Sequence, residues 1–140
     1  REALAELNVA AEPIPRILAF EPADEAARRL DRIVLTARAQ ALAMSGALEE
    51  GVRLMRTQIA ARQALYEGAP QVAYNARAYA ISLTMLADLY ADNTRYAEAC
   101  PYYARARSLF EGLDARGVLS EQDRANSMRM VLERQAQVCE

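Results

Sequence analysis

The sequence predicts an all-α chain of about five long helices arranged as antiparallel hairpins. Three observations carry that expectation. Alanine and leucine dominate a hydrophobic content of 53%, and these residues lose little side-chain freedom in a helix. Apolar residues recur with a period near 3.6 in five successive stretches. Helix breakers fall between the stretches and leave only short connections, which makes successive helices antiparallel neighbours. The 140 residues suit one compact domain, which buries roughly 65–70% of its unfolded surface.

Residues 1–22 are expected to lie outside the repeat region. Ala3, Leu4 and Leu7 have the spacing of the end of a preceding helix. Pro13, Pro15 and Pro22 bracket a stretch, IPRILAFEP, that should be extended, since proline removes a backbone donor and biases its predecessor away from the helical region. The opening at Arg1 points to a piece of a longer protein. The helical domain is placed at 23–140: a first repeat at about 23–68, a second at about 70–116 and a closing helix at 120–139.

The first helix should start near Pro22–Asp24, carry Leu30, Ile33, Val34, Ala37, Ala41 and Met44 on one stripe, and stop at Ser45–Gly46. The second runs from about Ala47 to Glu67, with Leu48, Val52, Met55, Ile59 and Ala60 in line and Gly68 as its end. Pro70 is expected to open the third, because a missing donor costs nothing in the first turn. Ala76, Tyr79, Leu83, Leu86, Ala87 and Tyr90 face inward there, up to Asp92–Asn93–Thr94. The fourth begins near Arg95 or Tyr96, holds Pro101 within its first two turns, and buries Ala99, Tyr103, Ala106 and Phe110. Ser120 caps the fifth, with Asp123 three positions on, and Ala125, Met128, Leu132, Ala136 and Cys139 are expected inside.

Composition also narrows function. Charges of both signs are interspersed around a net charge of −2, with no basic block to attract nucleic acid. No apolar run approaches the ~20 residues of a membrane-crossing helix. Histidine and tryptophan are absent and all 17 basic residues are arginine. The chain therefore lacks the commonest general base and metal ligand, and lysine Schiff-base chemistry is excluded. No catalytic residue, metal site or cofactor is expected.

A shift of 48 residues superimposes the chain on itself. Ile33 then meets Ile81, Leu35 meets Leu83, Thr36 meets Thr84, Ala39 meets Ala87, Ala43 meets Ala91 and Glu50 meets Glu98, with Gly51 opposite Ala99. Residues 83–111, LTMLADLYADNTRYAEACPYYARARSLFE, resemble a tetratricopeptide repeat: Leu83, Leu86, Ala87 and Tyr90 fit its first helix, and Ala99, Tyr103, Ala106 and Glu111 its second. The copy at 35–58 keeps Leu35, Ala39, Leu42, Gly51 and Met55 but departs at Arg38 and Gln58. A period of 48 exceeds the usual 34 and is similar to the longer-helix variety found in kinesin light chains and many bacterial relatives.

The resemblance implies a right-handed helical solenoid that acts by binding a protein or peptide, with no chemistry of its own. Its concave groove would be lined by Ile33, Thr36 and Gln40 from the first copy and by Ile81, Thr84, Met85, Asp88 and Asp92 from the second. Thr84 and Asp88 replace the lysine and asparagine of a carboxylate clamp, so an acidic tail is a poor ligand for that groove. Similar repeats serve as sensor regions of bacterial signalling proteins, such as serine/threonine kinases and transcriptional regulators. A homodimer is a further expectation, with residues 14–22 of one chain in the groove of another.

Tyr90 and Tyr103 read as core, whereas Tyr74 and Tyr102 are less constrained. Asp88 and Asp92 share a helix face and read as a solvated acidic patch. Antiparallel pairing of the last two helices sets Cys100 level with residue 136, ~5 Å short of Cys139 at 1.5 Å per residue. A disulfide is possible at that separation, but free buried thiols in a cytoplasmic domain are the expectation. Two cysteines without histidine make no zinc site.

Overall fold

The computed structural model describes residues 25–139; the expectations for residues 1–24 lie outside them. Seven helical elements follow in order: α1 (Glu25–Met44), α2 (Leu48–Gly68), α3 (Ala73–Asp92), α4 (Tyr96–Ala115), α5 (Glu121–Asp123), a π-helical turn (Arg124–Met128) and α6 (Arg129–Val138). The last three form one continuous run, so the described chain amounts to five long helical segments, and no strand occurs among the described residues. By compactness the chain divides into residues 1–55 and 56–140, with the boundary inside α2.

In the first unit, the buried side of α1 consists of Ala27, Val34, Ala39 and Ala43, facing a core that includes Val52 and Met55 of α2. The larger apolar residues expected inside are mostly outside: Leu30 is 47% exposed, Ile33 53% and Met44 90%. Close approach explains the choice of face. A β-carbon added to Gly51 would stand 2.6 Å from the carbonyl oxygen of Ala39, so the helices meet where both carry almost no side chain. Gly51→Ala should cost about 1–3 kcal/mol through overpacking, less the 0.5–1 kcal/mol that alanine gains over glycine in a helix. A urea midpoint at or above that of the wild type would show that the contact has room to spare.

Helix ends repeat as well. Ala47 N–H donates to Leu42 O, Arg95 N–H to Tyr90 O and Val118 N–H to Leu113 O, the long closing bond of a Schellman end. The residue before each donor has positive φ: Gly46 at 90°, Thr94 at 61° and Gly117 at 70°. Thr94 is β-branched in a region that costs an L-residue roughly 1–2 kcal/mol. Thr94→Gly is therefore expected to stabilise the protein by about 0.5–1 kcal/mol, after allowing for the freer unfolded chain. Thermal unfolding reads this directly, and a fall in Tm would mean that the threonine side chain holds the turn.

The second unit follows the sequence reading closely. Ala76, Tyr79, Leu83, Leu86, Ala87 and Tyr90 of α3 are buried, as are Ala99, Tyr103, Ala106 and Phe110 of α4. Pro101 lies inside α4 at its second turn. One expectation fails at the start of α3. Pro70 sits in a turn closed by Val72 N–H to Ala69 O, the second position of a turn that proline favours, and the helix begins three residues later. Asn75 donates through Nδ2 to Leu65 O and Ala69 O, carbonyls that also accept from Ala69 N–H and Val72 N–H, and so braces the turn between α2 and α3.

Two contacts fix the run 121–138 antiparallel to α4. Arg124 of the π turn donates to Asp114 near the end of α4, while Cys139, just past α6, is disulfide-bonded to Cys100 near its beginning, with Cα atoms 5.6 Å apart. The cysteines are thus bonded, not free. The π turn helps to explain why the register estimate fell short, because i→i+5 bonding takes more residues per turn. It also moves the inward stripe: Asp123 and Val131 are buried, while Ala125 and Ala136 are exposed. Ser120 caps the run as expected, its Oγ accepting from Asp123 N–H at 3.0 Å.

Candidate functional site

The residues expected to line a groove divide between the units. In the first, Ile33 and Gln40 are exposed and Thr36 is half-buried. In the second, Asp92 is exposed, Ile81 and Met85 are half-buried, and Thr84 is only 8% exposed. The two threonines behave alike. Thr36 Oγ1 donates to Arg32 O at 2.8 Å and Thr84 Oγ1 to Ala80 O at 2.9 Å, the same bond one repeat apart. Each hydroxyl thus satisfies a carbonyl of its own helix.

Asp88 does more than line a surface. Tyr103 Oη of α4 donates to its Oδ1 at 2.5 Å, and Arg134 Nη1 of α6 donates to the same oxygen at 2.7 Å. One carboxylate therefore ties α3 to both α4 and α6. Burial pushes Asp88 above the usual carboxylate range, opposed by the Tyr103 hydrogen bond and the Arg134 charge. Burial also pushes the Tyr103 phenol far up, with the Asp88 hydrogen bond and charge adding to it. The phenol stays protonated and the carboxylate is engaged on both sides, an arrangement that suits a structural clasp.

A second clasp was not legible beforehand. Arg77 of α3 grips Asp123 with two parallel bonds, Nε to Oδ2 at 2.6 Å and Nη2 to Oδ1 at 3.0 Å. Asp123 was read as a capping residue, and its partner 46 positions away carries no local signal. The hydrogen bond from Arg77 holds Asp123 below the usual carboxylate range.

Among the tyrosines, Tyr90 and Tyr103 are core residues. Tyr102 is half-buried, stacks on Tyr90 at 6.1 Å between centroids and accepts a bond from Arg56. Tyr74 is 38% exposed. Among the described residues no group of three or more acidic or cysteine side chains is placed to hold a metal ion, and no helix is long and apolar enough to cross a membrane.

No protein family, curated protein or solved structure matches the chain. With Thr84 and Asp88 engaged inside the fold, Asp92 is exposed and Ile81 half-buried on the outward side of α3 in the second unit.

Proposed function

We propose that this chain is a non-catalytic scaffold of the tetratricopeptide type, stacked as a right-handed solenoid, that holds a peptide or partner helix along the outward face of α3. The observation that supports this reading is the structural repeat at 48 residues. The pairs Ala39 and Ala87, Gly51 and Ala99, Gly46 and Thr94, and Thr36 and Thr84 take equivalent burial, turn geometry or hydrogen bonding. Repeated hairpins of this sort gain surface by stacking and bind by shape. Ile81 offers apolar contact on that face, and Asp92 one charge.

The test is affinity capture from the source cell, comparing wild type with an Ile81→Arg, Asp92→Arg double variant. Both residues retain exposure, so circular dichroism should be unchanged. Loss of a partner from the variant alone supports the face. Capture of the same partners by both chains rejects it, and a mass that doubles with concentration would favour self-association.

The Cys100–Cys139 bond supports a second reading, that the domain works in an oxidising compartment, where such bonds persist. Protein extracted under alkylating conditions should then show no free thiol. Full labelling of both cysteines would return the domain to a reducing compartment.

A further inference from the structure

The run that closes the second unit is held unevenly along its length. At its start the grip is firm: Leu119 and Asp123 are buried, Arg77 takes Asp123 with two bonds and Arg124 reaches Asp114. Through the π turn the grip thins, since none of residues 124–128 is buried. Beyond it, α6 buries Val131 alone. Its remaining ties are Arg134 to Asp88, Gln135 to Arg107 and the bond from Cys139, just past its end, to Cys100. Arg134 is 37% exposed and the Gln135 contact lies at the surface, so water competes for both.

A segment with one buried side chain and solvent-reached polar contacts belongs to the least stable part of a fold, unless a covalent bond holds it. Here one does, at the far end from the firm grip, with the thinly packed turn between them as a pivot. We propose that the Cys100–Cys139 bond is a redox latch: its reduction frees α6 to swing out about the π turn and uncovers Asp88 and Tyr103, while the anchor at 119–124 stays in place. Both cysteines are half-buried, so the bond is not sealed from a small dithiol. One thiolate of the dithiol attacks a sulfur of the bond and expels the other cysteine as a thiolate. The second thiol then displaces the remaining cysteine. The reagent ends as a disulfide, having given two electrons and two protons to Cys100 and Cys139. The latch uses none of the residues assigned to the outward α3 face, so either can fail without the other.

The experiment is hydrogen exchange read by mass spectrometry on the full chain, oxidised, with dithiothreitol, and after re-oxidation with glutathione disulfide. In the oxidised chain, amides of 129–138 should be protected to within about tenfold of those in the cores of α3 and α4. In the reduced chain they should fall about a hundredfold or more below those cores, and re-oxidation should close the gap. Arg134→Gln separates a latch from a fixed staple. It should leave the oxidised pattern as it is and widen the reduced gap about fivefold or more, because the ion pair matters only once the bond is open. Three results overturn the inference: protection of 129–138 that survives reduction, a fall shared equally by α3, α4 and α6, or a gap that re-oxidation does not close.

Discussion

Replacing Cys100 and Cys139 by serine is expected to destabilise the protein by about 4 kcal/mol, since a cross-link closing a loop of this length removes that much chain entropy from the unfolded state. The loop spans 39 residues of sequence and encloses most of α4 and the whole run 121–138. No other bond in the second unit ties the end of α6 covalently to the hairpin. Urea unfolding should show the midpoint fall while the slope rises, because the uncrosslinked chain exposes more surface on unfolding. Reduction of the wild type should reproduce both changes. An unaltered midpoint would mean that packing around Val131 and the two clasps already hold α6 in place.

The second large effect is expected at Arg77. Its removal leaves the Asp123 carboxylate, whose side chain is only 10% exposed, without its main partner. Breaking a fully buried pair costs roughly 3–5 kcal/mol. Arg77 itself is 42% exposed and water can follow it, so Arg77→Ala should cost about 2 kcal/mol. The pH dependence identifies the cause. Because Asp123 is held below its unfolded value, its contribution is present above the ordinary carboxylate range and is lost as pH falls through the lowered folded value. The variant should therefore lose stability less steeply on acidification than the wild type. Asp88, raised by burial, works in the opposite sense: its contribution is present at low pH and fades as pH climbs through the raised value. Parallel acid limbs in wild type and variant would show that Arg77 acts by packing alone.

Much of the fold could be read from local pattern, because α3 and α4 obey the rules a sequence displays. Their small residues, Ala87 and Ala99, mark the close approach, and Tyr90, Tyr103 and Phe110 fill the space beside them, at the period of a regular helix. α1 was harder. Its bulky apolar residues suggested one face, but the contact at Ala39 and Gly51 fixed another, and a hydrophobic period cannot report that backbone proximity outweighs side-chain size. The run 121–138 was misphased for a different reason: no residue between Arg124 and Met128 announces a wider turn. At the candidate site, the spacing of Thr84 and Asp88 placed them on a shared face but could not foresee that Ala80, Tyr103 and Arg134 would engage them. Partners 46 residues apart, as in Arg77 with Asp123 and Asp88 with Arg134, are invisible to any short window.

The wider turn at Arg124–Met128 also bears on how the gene tolerates change in length. Such a turn is what a helix becomes when it absorbs one extra residue without breaking. Deleting a single codon there would restore ordinary winding and leave the following residues in phase, so Arg134 would keep Asp88 and Cys139 would keep Cys100. Inserting a further codon would exceed what one such turn absorbs, and the following residues would swing by about 100° around the axis. Substitutions across Ala125 and Asn126, both exposed, and a one-codon loss in the same stretch should pass unnoticed, whereas a one-codon gain should be purged. The stretch holds one residue to spare and has no room for another.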